Sequence, residues 1–183
     1  MYLAVSLVFF ILVAISLACF FVYIGDMVFI GHDFATTKKG VNKVAEILKN
    51  LGLGSSVFYD FGSARGGMAV GLSKIIPELN ITGIDYSKLR TLEAKIWSAL
   101  NFSQAKFVCR DISVCDISHA DVVYIYQNQK NTDALKNKLQ KELKTGAAII
   151  TNTQSFSGWE PKRIYITHLN KPAYEKLFLY VKE

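Results

Sequence analysis

Three acids close three apolar runs: Asp60 in "SVFYD", Asp85 in "NITGID" and Asp111 in "AKFVCRD". Directly after the first run comes "FGSARGG", with Gly62, Ser63, Gly66 and Gly67. An apolar run, an acid and then glycines opening into a helix is the sequence form of a ligand-cradling turn. Glycine has no side chain to keep the backbone away from a ligand. Two fingerprints fit this turn equally. One is G-x-G-x-x-G/A, as Gly62, Ala64 and Gly67; the other is D-x-G-x-G-x-G, as Asp60, Gly62, Ala64 and Gly66. Both put Ala64 in the middle, so the glycines alone do not choose a ligand.

The acids discriminate further. A carboxylate at Asp60 suits a ligand with a cationic amino group, such as the methionine part of S-adenosylmethionine, and would repel a pyrophosphate. Asp85, followed by Tyr86 and Ser87, can accept hydrogen bonds from both ribose hydroxyls of either cofactor. Asp111 stands where the exocyclic amine of an adenine needs an acceptor. Asp60 and a chain short for a second substrate domain argue against a nicotinamide-dependent oxidoreductase. A non-catalytic module that keeps the fold without the activity is the other alternative. Tyr124, Tyr126, Gln127 and Asn128 end the fourth apolar run, and Trp159 lies in "SGWEP". Tyr124, Tyr126, Gln127, Asn128 and Trp159 are the candidates for lining a methyl-acceptor slot. No general base is identifiable. Methyl transfer to a desolvated amine needs none, because burial near apolar walls itself favours the neutral nucleophile. The [N/D]-P-P-[Y/F] pattern of amide and nucleobase methylation is absent after this run. His32, His119 and His168 are scattered, and Cys19, Cys109 and Cys115 have no metal-ligand spacing, so no metal site is expected.

The elements that must position these residues alternate. Val41, Val44, Ala45, Leu48 and Leu51 recur at helical spacing, with Gly52 as a stop. Strand "SVFYDFG" leads into a helix from Gly66 to Ile76, ended by Pro77. Strand "NITGIDY" leads to a helix capped by Ser87, with Leu89, Leu92, Ile96 and Leu100 on one face. Strands "AKFVCRD" and "ADVVYIY" follow, then a helix marked by Leu135, Leu139 and Leu143 with Gly146 as its C′ residue. Strand "AAIITN" and the pair "RIYITHL" and "EKLFLYV" complete the chain. The expected fold is α/β: a Rossmann-like seven-stranded sheet whose final hairpin is antiparallel.

The first charged residue is Asp26, and no Lys or Arg precedes Lys38. Residues 1–25 read as one transmembrane helix, since about 22 apolar residues span roughly 33 Å at helical rise. A signal peptide would need a basic n-region and a shorter apolar run. Residues 26–35 form a juxtamembrane linker and 36–183 one soluble domain. Lys38, Lys39, Lys43 and Lys49 follow the span, which places the domain on the cytoplasmic side of a single-pass protein. The net charge of +6 falls wholly on the part after residue 25. No dense basic run or stacking motif points to nucleic acid.

With these residues in hand, the region 36–183 resembles the class I S-adenosylmethionine-dependent methyltransferases. It is most similar to the membrane-anchored protein-lysine methyltransferases of the adenine nucleotide carrier and ATP synthase c subunit type and their prokaryotic relatives. The likeness is carried by "FATTKKGVNKVAEIL", "YDFGSARGG", "GIDYS", "FSGWEP" and the apolar N-terminus. It implies S-adenosylmethionine as cofactor and a protein substrate at or near the membrane, with Thr36 and Thr37 bordering the cofactor site. Three positions depart from the usual pattern: Ala64 for glycine, Arg65 for an acid, and Asp85 where relatives often carry Glu.

Overall fold

The computed structural model describes residues 2–30 and 35–183. The chain divides into two units, Met1–Asp33 and Phe34–Glu183. The first is helix α1 (Tyr2–Ile30), whose stretch Ala4–Gly25 is long and apolar enough to cross a membrane. Gly25 and Asp26 do not end it: the helix runs on to Ile30. A single glycine in a helix costs only about 1 kcal/mol against alanine, and the apolar residues around it keep the hydrogen-bond ladder intact. Of the linker 26–35, residues 31–34 lie outside the described residues, and His32 with them.

The second unit carries α2 (Lys38–Asn50), β1 (Val57–Phe61), α3 (Gly67–Ile75), β2 (Asn80–Asp85), α4 (Lys88–Leu100), β3 (Lys106–Cys109), β4 (Val122–Ile125), α5 (Gln129–Glu142), β5 (Ala148–Asn152), β6 (Arg163–Ile166) and β7 (Lys176–Val181). The seven strands form one sheet in the order β3-β2-β1-β4-β5-β7-β6. The first five run parallel; β7 pairs antiparallel with both β5 and β6. The strand order reverses between β1 and β4, and the carboxyl ends on either side of that reversal are where such sheets bind ligands.

One core fills the face covered by α2 and α3, with Phe58, Ile81, Tyr124, Ile150 and Leu179 from the sheet. The other fills the α5 face, with Phe61, Ile84, Ile125, Ile149 and Tyr180. Period-two alternation sends neighbouring residues of each strand to opposite cores. Helix α2 begins with Thr37 accepting from Gly40 N and ends at Leu51, with Gly52 at φ 71°. Gly52 N and Leu53 N close the last turn on Lys49 O and Leu48 O, the Schellman arrangement that a glycine favours.

One further expectation fails, and one apolar face points outward. Gly146 is not the C′ residue of α5, which is capped at Leu143; its N–H instead bonds Lys182 O and opens β5. And Leu92, Ile96 and Leu100 share a face of α4, but that face points to solvent. The helix sets Arg90, Thr91, Ala94 and Ser98 against the sheet instead. Opposite Gly66 the gap admits only a small side chain. A Cβ added at Gly66 would lie 3.2 Å from Ala94 Cβ and 2.7 Å from Phe107 Cζ.

Candidate functional site

The turn from β1 to α3 is held in a left-handed run: Gly62, Ala64 and Gly66 have φ of 74°, 46° and 80°. Gly62 N and Ser63 N both donate to Ile84 O, at 2.9 and 3.0 Å, so the turn is stitched to the end of β2. Ala64 N donates to Asp85 Oδ2 at 3.0 Å, and Ser87 N to Asp85 Oδ1 at 2.9 Å. Asp85 therefore clamps the turn to the start of α4, and each of its oxygens keeps acceptor capacity for a further donor. Ser87 caps α4 through Arg90 N. Arg65, the residue that replaces an acid, reaches Glu93 on α4 at 2.7 Å. Ser63 is buried, and Phe107 seals the turn from below.

Asp60 lies under the same turn, 3% exposed, and its Oδ2 has no hydrogen-bond partner. Burial pushes its carboxyl up to about 7; the nearby Asp85 charge adds to this and the Ala69 amide opposes it. A buried carboxylate oxygen without a donor is costly, and it is an opening for a cationic group. Asp111 stands two residues beyond β3 and is exposed. Its Oδ1 accepts from Ser113 N at 2.8 Å, and this bond holds its carboxyl below the usual range. Tyr86 is exposed beside Asp85. Asp60, Gly62, Ser63, Gly66 and Asp85 thus converge on one turn, flanked by Tyr86 and Asp111 at the neighbouring strand ends.

Past the end of β4, Gln127 Nε2 leans over the turn toward Phe61 O at 3.4 Å, and a Cβ on Gly62 would collide with it at 2.6 Å. Tyr126 packs against the α2/α3 core. Asn128 caps α5 by accepting from Asn131 N at 2.9 Å. Trp159 stacks on Phe156 with ring centroids 5.2 Å apart and leans on Tyr180, in the α5 core. The structure therefore brings Gln127 to the turn and builds Trp159 into an aromatic cluster on the opposite core from Tyr126.

A second polar centre joins Thr36, Thr37 and Tyr124 to Glu175, Asn152 and Thr167, which the sequence analysis did not single out. Glu175, 1% exposed, stands directly before β7. It accepts from Thr37 N at 3.1 Å, Thr37 Oγ1 at 2.6 Å, Asn152 Nδ2 at 3.0 Å and Thr167 Oγ1 at 2.9 Å. Burial works to raise the Glu175 carboxyl, but the Thr37, Asn152 and Thr167 bonds outweigh it and hold it below the usual range. Asn152 also donates to the Tyr124 hydroxyl at 2.9 Å, which meets Thr36 Oγ1 at 2.6 Å. Gly40 is the sequence signal for this centre, since a Cβ there would sit 2.6 Å from Glu175 Oε1. The network fixes "ATTKKG" beside the β4 end. Thr37 acts there as cap and as donor to Glu175, and Tyr124 is a buried member of the same network.

The model of the ANTKMT methyltransferase domain matches residues 60–163. A protein-lysine N-methyltransferase of Saccharolobus islandicus (strain REY15A) is 28% identical over 131 residues, covering 70% of this chain and 80% of that protein. Among solved structures, an RNA methyltransferase from Salinibacter ruber in complex with S-adenosyl-L-homocysteine superposes with a TM-score of 0.71 at 20% identity, over 81% of this chain and 93% of that one. The magnesium protoporphyrin IX methyltransferase from Synechocystis PCC 6803 with bound S-adenosylmethionine does so with 0.64 at 16% identity, over 80% and 79%. These two share the fold.

Proposed function

We infer the acceptor from a fixed premise: this chain belongs to the ANTKMT methyltransferase family and is an S-adenosylmethionine-dependent methyltransferase. That sets aside the oxidoreductase and the non-catalytic module. We propose that the acceptor is a lysine ε-amine of a protein at or near a membrane. The protein-lysine N-methyltransferase relative supports this reading.

The observation that carries the site is the buried Asp60 oxygen without a donor, at the foot of a turn whose glycines leave room for close approach. These features fit the cofactor. Asp60 would take its amino group, and the backbone of Gly62, Ser63 and Gly66 would lie along its methionine part. Asp85 would take the ribose hydroxyls, Tyr86 would border the adenine and Asp111 would accept from the adenine amine. Thr37, through Glu175, would hold the segment that closes the site. Bound S-adenosylmethionine supplies an electrophilic methyl group on a sulfonium. The chain's own part is to align a neutral amine and exclude water. Tyr126, Gln127 and Asn128, where β4 ends, form the wall that strips water from the incoming lysine, which lowers its pKa and exposes its lone pair. Trp159 supports this wall from the other core.

The proposed organisation is a membrane anchor in residues 1–25, a linker in 26–35 whose first part continues helix α1 to Ile30, and the methyltransferase domain in 36–183. The lysines after the anchor support the cytoplasmic side for that domain. The test is to incubate the full chain with methyl-tritiated S-adenosylmethionine and a membrane fraction, and to hydrolyse the labelled product. Label in methyllysine is the expected result; label in another amino acid or in lipid overturns the lysine reading.

A further inference from the structure

The outward side of α4 carries an apolar stripe. Leu92, Ile96, Trp97 and Leu100 are 55%, 52%, 50% and 70% exposed, and Phe102 just beyond is 95% exposed. At 100° per residue, Leu89, Leu92, Ile96 and Leu100 form one stripe opposite Ala94 and Ser98. The end of the helix adds a second oddity. Phe102 N bonds Ala99 O and Ser103 N bonds Ser98 O, the same Schellman closure that ends α2. In α2 its left-handed position is Gly52; here it is Phe102, at φ 52°. A large aromatic is thus held in a backbone conformation that favours glycine, with its ring in solvent.

The charges beside this face are mainly basic: Lys88 and Lys95 border the stripe, and Lys106 on the edge strand β3 and Arg110 just past it stand exposed, with Asp111 the exposed acid next to Arg110. The one acid of α4, Glu93, is paired with Arg65. A contiguous apolar face marks an interaction site. A stripe of aliphatics with a tryptophan, bordered by lysines, matches the interfacial plane of a bilayer with anionic headgroups. The same chain contains the membrane-length stretch Ala4–Gly25, and α2 opens at Lys38, only a short way along the sequence from the end of α1 at Ile30.

We propose that the outward face of α4, together with Phe102, seats on the surface of a bilayer carrying anionic lipid. This rests on the membrane-tether reading of α1. Docking would restrain the domain against the surface.

The experiment uses the full chain, mixed with vesicles of phosphatidylcholine and phosphatidylglycerol with brominated acyl chains, which quench tryptophan on contact. Trp97 and Trp159 are the two tryptophans, so Trp97→Phe gives the Trp159 background. Quenching lost in Trp97→Phe is the expected result. The double variant Leu92→Glu, Ile96→Glu should dock at least about ten-fold less, because charge replaces apolar contact. These positions are exposed, so its circular dichroism should not change. A chain that floats with vesicles through alkaline carbonate while Trp97 stays unquenched overturns the docking and leaves the tether standing. A chain stripped by carbonate but quenched beforehand overturns the tether and supports the docking. Shielding of Trp97 that rises with protein concentration and not with lipid assigns the face to a second copy and overturns the proposal.

Discussion

The ends of β1 and β2 carry buried carboxylates in the same turn, Asp60 at 3% exposure and Asp85 at 4%, yet their situations are opposite. Asp85 is provided for by the protein: it accepts from Ala64 N and Ser87 N. Asp60 is left with one oxygen unpartnered and its carboxyl pushed up to about 7. One acid builds the turn, and the other keeps an oxygen without a donor, which fits the cofactor-binding role proposed for it. Burial alone does not tell a structural acid from a binding one; the count of donors around it does.

The sharpest way to break the contrast is to remove the builder. Asp85→Ala orphans two backbone N–H groups at about 1–3 kcal/mol each, so a loss of roughly 2–5 kcal/mol of stability is expected. Denaturant unfolding of the full chain in detergent measures it. A change below about 1 kcal/mol would mean that Asp85 is not the clamp of the turn. Affinity for S-adenosylmethionine should fall as well, since the turn and the ribose acceptor go together.

Asp60→Asn should separate binding from building. The amide keeps an acceptor for the Ala69 N–H but no charge, so the fold should persist. Cofactor affinity should drop by roughly ten- to a hundred-fold, the size of a lost charged hydrogen bond. Calorimetric titration reads it, and an unchanged affinity would remove Asp60 from the cofactor site.

The same carboxyl gives a pH dependence with a definite sign. Its folded value of about 7 lies above the ordinary 3.8, so between those values the folded state holds a proton that the unfolded chain has lost. The ligand-free protein therefore loses stability from this group as pH rises from about 4 to 7, by at most about 4 kcal/mol. Cofactor affinity runs the other way. Protonated Asp60 has no charge for a cationic amine, so binding should weaken by up to about ten-fold per pH unit below 7. Asp60→Asn should flatten both profiles, and profiles equal to wild type in that variant would assign the titration to another group.

The acids, the turn and the seven strands with their final hairpin were legible because each depends on short-range pattern: apolar run, acid, glycine. The Glu175 network was not, because its members Thr37, Asn152, Thr167 and Glu175 come from distant segments that only the sheet brings together. Helices α2 and α4 show a subtler limit. Both carry an apolar stripe, and Val44 and Leu48 of α2 are fully buried while Ile96 of α4 is half exposed. Periodicity fixes that a face exists; which way it points is decided by the room over Gly66 and Phe107, which no local pattern encodes. Trp159 illustrates the same point, since an aromatic in a loop motif reads alike whether it lines a slot or fills a core.

The smallest effect concerns the residue between the two acids. Ala64 donates its N–H to Asp85 while sitting at φ 46°, between Gly62 and Gly66. An L-residue in this region is strained by about 1–2 kcal/mol. Glycine would relieve that strain, but it gives the unfolded chain more freedom, worth about 0.4–1 kcal/mol in the opposite direction. The difference leaves Ala64→Gly more stable by about 0.5–1 kcal/mol. Cofactor affinity should rise by less than about ten-fold, since only the part of the strain felt on binding appears there. Ala64→Val supplies the opposite arm: a β-branched residue in the left-handed region should cost more than alanine does. Thermal unfolding and titration of the three proteins order them as glycine, alanine, valine. If glycine were instead the least stable, the methyl of Ala64 would be packing favourably. The turn would then be adapted to alanine rather than strained by it, and Asp85 would be clamping a relaxed backbone.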